Sequence, residues 1–558
     1  MATDPRASGG RPPHGIAYFY FNAQKPSKQR YGDSLRATAI QVIETLGNDP
    51  LTIDLLSITT DCDDDRQSLP SEDELMELLL LSIRRFSSLV FILDGVDECL
   101  DFERIWPFLS RACEDERVKC LVLGRPEVRI PEKYVSLLVR QSLQGMNRQD
   151  IWNYLYQETQ NLQMAGKLQA HLIPDSVADT LTTHAQSRFL WASLILAYLQ
   201  SPGLSLVQRT QQLEDPSRLE TLHGLYSGLL GQFESLPSET RRLVTKIFQF
   251  LVLAKELPSI TQLSIAVSDN PIRTVAADQL SKVAQTLRKF CGQLVYIDPD
   301  SIVSFSHLSF RVFLQSEETM QLKTPFRVDF KSGSLRIAVA CLSYLSTDVP
   351  DGPLSGSPDT VADKAIVASQ LPLLEYSARY WVDHAVGSLK LTTGAQDAHI
   401  LDCYSLFQHL GPFISQKTAI SSWIEVCWTY GIEPSVEALW EELQGRLAPA
   451  EKGAQDPTAW RILKTLDQIR ILSEDLKNLN RHWRRLLSVR PYEIWSPSIS
   501  AFLGQSSWEY NDECKVTTIA PDESDEDFDR TIFQVHKLSA CRNFCATVKI
   551  LRPSSAQG

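Results

Sequence analysis

A partial α/β fold that gives way to a mostly helical chain is predicted by three observations. First, an apolar run, Ser88-Leu89-Val90-Phe91-Ile92-Leu93, ends in three carboxylates, Asp94, Asp97 and Glu98. Such a run reads as a buried parallel strand whose C-terminal edge faces a ligand site. Second, strand and helix signals alternate between residues 16 and 146 at a spacing that implies a parallel sheet with crossover helices. Third, from residue 147 onward the signals are helical, broken only by a short hairpin.

The elements follow in order. Residues 1–15 are Pro/Gly/Arg-rich and are expected to form a disordered tail. Ile16-Ala17-Tyr18-Phe19-Tyr20-Phe21 is aromatic-rich and predicts a strand. Asp33-Ser34 is expected to cap a helix running to about Leu46. Asp61 to Asp65 predicts a solvated loop. Ser71-Glu72-Asp73-Glu74 is a capping box opening a helix to about Arg85. After the acidic strand come a helix over about 103–113 and a strand at Lys119–Gly124, stopped by Pro126. Residues 147–237 are expected to form a helical subdomain in which Phe189, Leu190 and Trp191 are core. In 238–320, three short helices lead to a hairpin at 291–305, which suggests a winged helix. Helices dominate again over 321–510, with Tyr380 and Trp381 as core and a Gly/Ser/Pro loop at 352–358. An acidic linker at 511–530 and a partial β-rich segment at 531–558 complete the chain.

Composition narrows the class. The length of 558 residues suggests about three to five domains. A formal charge of −13 argues against a surface built for nucleic acid or for bare anionic membranes. Eleven scattered cysteines, no N-x-[ST] sequon and no apolar leader point to reduced thiols in a cytoplasmic or nuclear protein. The longest apolar stretch, 189–199, is too short to cross a bilayer. Cys514, His536, Cys541 and Cys545 match no common zinc spacing. Arg481-His482-Trp483-Arg484-Arg485 reads as the polar face of a helix.

The segment Phe91-Ile92-Leu93-Asp94-Gly95-Val96-Asp97-Glu98 has the Walker B pattern, in which an acid holds the water shell of Mg²⁺ and its neighbours orient a water. Together with Ala17–Phe21, Gly124-Arg125-Pro126, Arg188–Ala192, Ser306–Leu314 and Leu371–His384, all in fixed order, it resembles the fungal NACHT proteins of the STAND class, P-loop ATPases or GTPases with a nephrocystin-3-like core. The resemblance implies a nucleotide-driven signalling switch. Asp97 and Glu98 would be its catalytic acids, Asp94 would hold Mg²⁺ indirectly, and Asp94, Arg125 and His307 would contact ATP or GTP. Arg125 is otherwise a strand-end arginine pairing with Asp94 or Asp97, and His307 a histidine packed at a helix start. Expected partners are other proteins or a second copy of the chain, with no nucleic acid and no membrane.

One departure from that pattern matters. A Walker A loop, G-x-x-x-x-G-K-[ST], does not occur, and the chain's single Gly-Lys pair, Gly166-Lys167, lacks the upstream glycine. The expectation is therefore a chain truncated before that loop, its switch uncoupled from nucleotide and its function carried by protein contacts of the helical region. The alternatives are a competent NTPase whose true N-terminus carries the loop, and a non-functional gene fragment. Loss of the central strand obliges Val90–Leu93 and Leu121–Leu123 to close up or to expose edges, which would make the α/β part the least stable folded region.

Overall fold

The computed structural model describes residues 13–47, 70–389, 404–447 and 457–499, apart from short stretches at 126–127, 137, 143–144, 202, 215–218, 220, 269–276, 317–323 and 497–498. The expected tail up to residue 12, the acidic loop 61–65, the linker 511–530 and the segment 531–558 with its Cys/His group lie outside the described residues. The chain divides into two compact units, 1–149 and 150–558.

The first unit carries a three-stranded parallel sheet in the order β1 (His14–Tyr20), β2 (Ser88–Asp94), β3 (Val118–Val122). β1 begins two residues before the predicted Ile16, inside the stretch expected to be disordered, because His14 and Gly15 continue the ladder opposite Ser88 and Leu89. β2 pairs directly with β3, Leu89 opposite Val118 and Leu93 opposite Val122. β2 and β3 are direct neighbours, so no gap lies between the two strands expected to flank one, and β3 is an edge of the sheet.

One face of this sheet is packed. Ala17, Phe19, Leu89, Phe91 and Leu93 are buried against Leu35, Ala39, Leu79 and Phe108. Those four come from α1 (Tyr31–Leu46), α2 (Glu72–Ile83) and α3 (Ile105–Ala112). Side chains alternate across a strand, so Ile16, Tyr18, Tyr20 and Leu121 point the other way and are exposed. The outer edge of β1 is closed by a side chain. Gln41 of α1 accepts from the Tyr18 N–H at 2.9 Å and donates to the Tyr18 carbonyl at 2.9 Å. An edge strand with its polar groups taken in this way resists pairing with another chain.

The helix starts follow local rules with one adjustment. Ser71 and Glu74 exchange reciprocal bonds as a capping box at α2. At α1 the cap is made from inside the first turn. Helix begins at Tyr31, and Asp33 reaches back to the Arg30 N–H at 3.1 Å.

The second unit is helical apart from a hairpin. Gly166, at φ 67°, ends α4 (Arg148–Met164), and the Lys167 N–H turns back to the Leu162 carbonyl. The lone Gly-Lys pair is therefore a helix terminus of the Schellman kind. In α5 (Phe189–Gln200) Trp191 is fully buried and donates to the Leu219 carbonyl at 2.7 Å, whereas Phe189 is 43% exposed and Leu190 half-buried. The expectation that Phe189 is core is corrected. Its position in the first turn points it away from the packed side.

Helices α6 (Ser238–Leu253), α7 (Ile260–Ala266) and α8 (Ala277–Thr286) lead to an antiparallel hairpin, β4 (Val295–Ile297) with β5 (Val303–Phe305). Farther on, α9 (Phe330–Thr347) packs along α10 (Leu374–Leu389). Trp381 of α10 is buried in edge-on contact with Phe413 and Trp423, while Tyr380 is half-buried and donates to Glu256. Glu425, of the helix Lys417–Thr429, is a buried carboxylate. It accepts from the Leu354 N–H and from Trp495 Nε1 at 2.7 Å, so the loop 352–358 and the turn Pro491–Trp495 hang on one side chain. Burial pushes its carboxyl above the ordinary range. Among the described residues no helix is long and apolar enough to cross a membrane.

Candidate functional site

The candidate site lies where the three strands end. β2 gives way to Gly95, left-handed at φ 71°, and to a 3₁₀ turn at Val96–Glu98. Glycine is required there, since a Cβ at position 95 would sit 3.1 Å from the Phe21 carbonyl oxygen. That close approach exists because the Phe21 N–H continues the ladder to the Asp94 carbonyl at 2.9 Å. On the other side the Val96 N–H bonds the Leu123 carbonyl at 3.2 Å. The loops after β1, β2 and β3 are thereby drawn together.

Two of the three acids are engaged in holding these loops. Asp97 accepts the Arg125 N–H through Oδ1 at 3.1 Å, and its Oδ2 lies 3.3 Å from Arg125 Nε. A Cβ at Gly124 would stand 3.4 Å from Asp97 Oδ1, in ordinary contact. Glu98 accepts the Ala23 N–H at 2.8 Å. Asp101, which the sequence did not single out, accepts the Tyr31 N–H at 2.7 Å at the start of α1. The only signal for it was its place in an acid-rich turn.

Asp94 differs from its neighbours. It shares the face of Val90 and Ile92, opposite the helices, and sits in register with Tyr20. It is half-buried, and among the described residues its carboxylate has no partner. His307 belongs to the second unit. It is the N-cap of the helix Leu308–Gln315, where Nδ1 accepts the Ser309 N–H at 3.1 Å, and the Ser309 hydroxyl continues to the Tyr226 hydroxyl at 2.7 Å.

A metal-bound nucleotide asks for an acid open to the metal's water shell and for donors around the phosphates. Asp94 meets the first requirement. Asp97 and Glu98 are turned to Arg125 and Ala23, and the chain's one Gly-Lys pair closes a helix. The fit is confined to Asp94.

Comparison with known proteins bears on the same strands. Residues 6–125 match the family described as Nephrocystin 3, N-terminal, a stretch that holds all three strands and ends at Arg125. Over 349 residues the chain is 25% identical to the vegetative incompatibility protein HET-E-1 of Podospora anserina, covering 56% of this chain and 24% of that protein. Both matches support a NACHT-like family. The aligned region takes in only about a quarter of that relative's length.

The clasp between Asp97 and Arg125 yields a test. Asp97→Ala is expected to destabilise the first unit by about 1–2 kcal/mol, since a backbone N–H and a guanidinium both lose their acceptor. Arg125 is 53% exposed, so Arg125→Ala should cost less than about 1 kcal/mol. Native-state hydrogen exchange of the loop amides in each variant checks the order. Equal effects would mean that the backbone bond contributes nothing.

Proposed function

We propose that this chain is a NACHT-like signalling or scaffold protein of the STAND kind whose nucleotide switch is uncoupled, and which acts through protein contacts of its helical region, 321–510. One observation carries the reading. Both acids that would act in hydrolysis are already engaged, Asp97 by the Arg125 N–H and guanidinium and Glu98 by the Ala23 N–H. Three helices followed by a hairpin over residues 238–305 support reading that part as a winged helix, with His307 at the start of the helix after it. In the parent architecture this is the piece that moves. Here its motion would be set by partners, a second copy among them, in place of ATP or GTP with Mg²⁺. Asp97 and Glu98 are then vestigial catalytic acids, and Asp94, Arg125 and His307 the remnants of a cofactor contact. A soluble cytoplasmic setting, without nucleic acid or membrane partners, accords with the charge of −13.

A second reading, a competent ATP- or GTP-binding switch, is favoured by Asp94 alone. Its half-buried carboxylate, without a partner among the described residues, supports a role as a metal's outer ligand. Equilibrium binding of labelled ATP and GTP with Mg²⁺ to the purified full chain separates the two. The uncoupled reading expects affinity weaker than about 100 μM and a sedimentation coefficient unchanged by nucleotide. Binding tighter than about 10 μM that disappears in Asp94→Ala would establish the second reading instead.

A further inference from the structure

Cys113 follows the last turn of α3 and Cys120 is the middle residue of β3. They are the two described cysteines that are not buried, and their sulfurs are 3.4 Å apart, sharing a hydrogen bond. The remaining described thiols, Cys99, Cys291, Cys341 and Cys427, are all buried. Cys113 is exposed and Cys120 half-buried, so an oxidant from solvent meets Cys113 first. We propose that Cys113 and Cys120 form an oxidation site that takes a hydroperoxide and closes to a reversible disulfide, with Cys113 as the attacking thiol and Cys120 as the resolving one.

The chemistry balances with the peroxide as two-electron oxidant. The Cys113 thiolate attacks one peroxide oxygen. The O–O bond breaks, and protonation of the departing oxygen gives water, or an alcohol from an organic hydroperoxide. Cys113 is left as a sulfenic acid. Cys120 then attacks that sulfur, an S–S bond forms, and hydroxide leaves and takes up the Cys120 proton as a second water. Two thiols have lost two electrons in all, and the peroxide has gained them. A disulfide sulfur pair stands about 2.0 Å apart, and a turn of the exposed Cys113 side chain closes the remaining distance.

The electrostatics of the pair run in the same sense. The hydrogen bond shared with Cys120 holds the Cys113 thiol down at about 7, while that hydrogen bond, then burial, push Cys120 upward. Thiolate is the nucleophile. By contrast, burial pushes Cys99, Cys291 and Cys341 up to about 12. Once formed, the bridge would tie the edge strand β3 to the end of α3. β3 leads directly into Gly124-Arg125, so the cross-link would act on the strand that positions the Asp97 clasp.

Peptide mapping of the full chain tests this without a variant. Trypsin separates the two cysteines, Cys113 into residues 112–117 and Cys120 into 120–129. After one equivalent of hydrogen peroxide and blocking with N-ethylmaleimide, the expected product joins these two peptides and is released by dithiothreitol. Its rate of formation should rise with pH as the Cys113 thiol, held below the ordinary thiol range, ionises. Cys120→Ser should instead accumulate a sulfenic acid on Cys113 that a dimedone probe captures. The proposal is overturned if Cys113 goes to sulfonic acid without linking. Linkage of Cys113 mainly to another cysteine, or an unreactive Cys113 in the folded wild-type chain, would also overturn it.

Discussion

Below pH 6.5 the helical unit is expected to lose about 1.4 kcal/mol of stability per pH unit, down to about pH 3, through one buried imidazole. His384 is 2% exposed, and its Nε2 lies 2.8 Å from the Tyr376 hydroxyl. Burial, helped by the Lys255 ammonium, lowers its pKa from 6.5 to about 3. In the folded chain it stays neutral through that interval, while in the unfolded chain it takes up a proton. The unfolded state therefore binds more protons, and stability falls as pH falls between those limits. Glu425 works in the opposite direction. Its raised carboxyl takes up a proton sooner when folded, so its burial penalty eases in acid. Urea unfolding at pH 7.5, 6 and 5, with His384→Gln as reference, isolates the histidine. Identical pH slopes for the two proteins would refute the assignment.

Trp191→Ala is expected to cost about 4 kcal/mol, and Phe189→Ala less than about 1 kcal/mol. The two positions are separated by one residue in a helix that is apolar on every side. Trp191 is fully buried and holds the Leu219 carbonyl through its indole N–H, so truncation leaves both a cavity and a carbonyl without its donor. Phe189 keeps 43% of its surface in solvent and touches Tyr154 at a ring separation of 6.3 Å. Midpoints of urea unfolding followed by far-ultraviolet circular dichroism give the comparison directly. A Phe189→Ala cost near that of Trp191→Ala would place Phe189 inside the core after all.

That pair also marks the border of what could be read from sequence. Local rules hold in the structure. Ser71 and Glu74 form a capping box from four consecutive residues, and the apolar run into Asp94 is a strand because strand and acid are contiguous. In Phe189–Gln200 nearly every residue is apolar, so no periodicity tells the inner face from the outer, and the exposure of Phe189 is not legible there. Arg125 was paired with either Asp94 or Asp97, and the turn at Gly95 brings Asp97 to it. The Ala23 N–H that Glu98 accepts lies 75 residues away, and no local pattern announces such a bond. The same is true of the seven-residue return that brings Cys113 onto Cys120, since it depends on how α3 settles on the sheet.

The sheet is laid down in chain order, β1 beside β2 beside β3. β2 and β3 therefore each emerge with a partner strand already synthesised. The first unit, complete by Gln149, can finish assembling while the helices beyond it are still being translated. Direct β2–β3 pairing is in this respect a simplification: β3, the last of the three described strands to emerge, adds to an edge that β2 already presents.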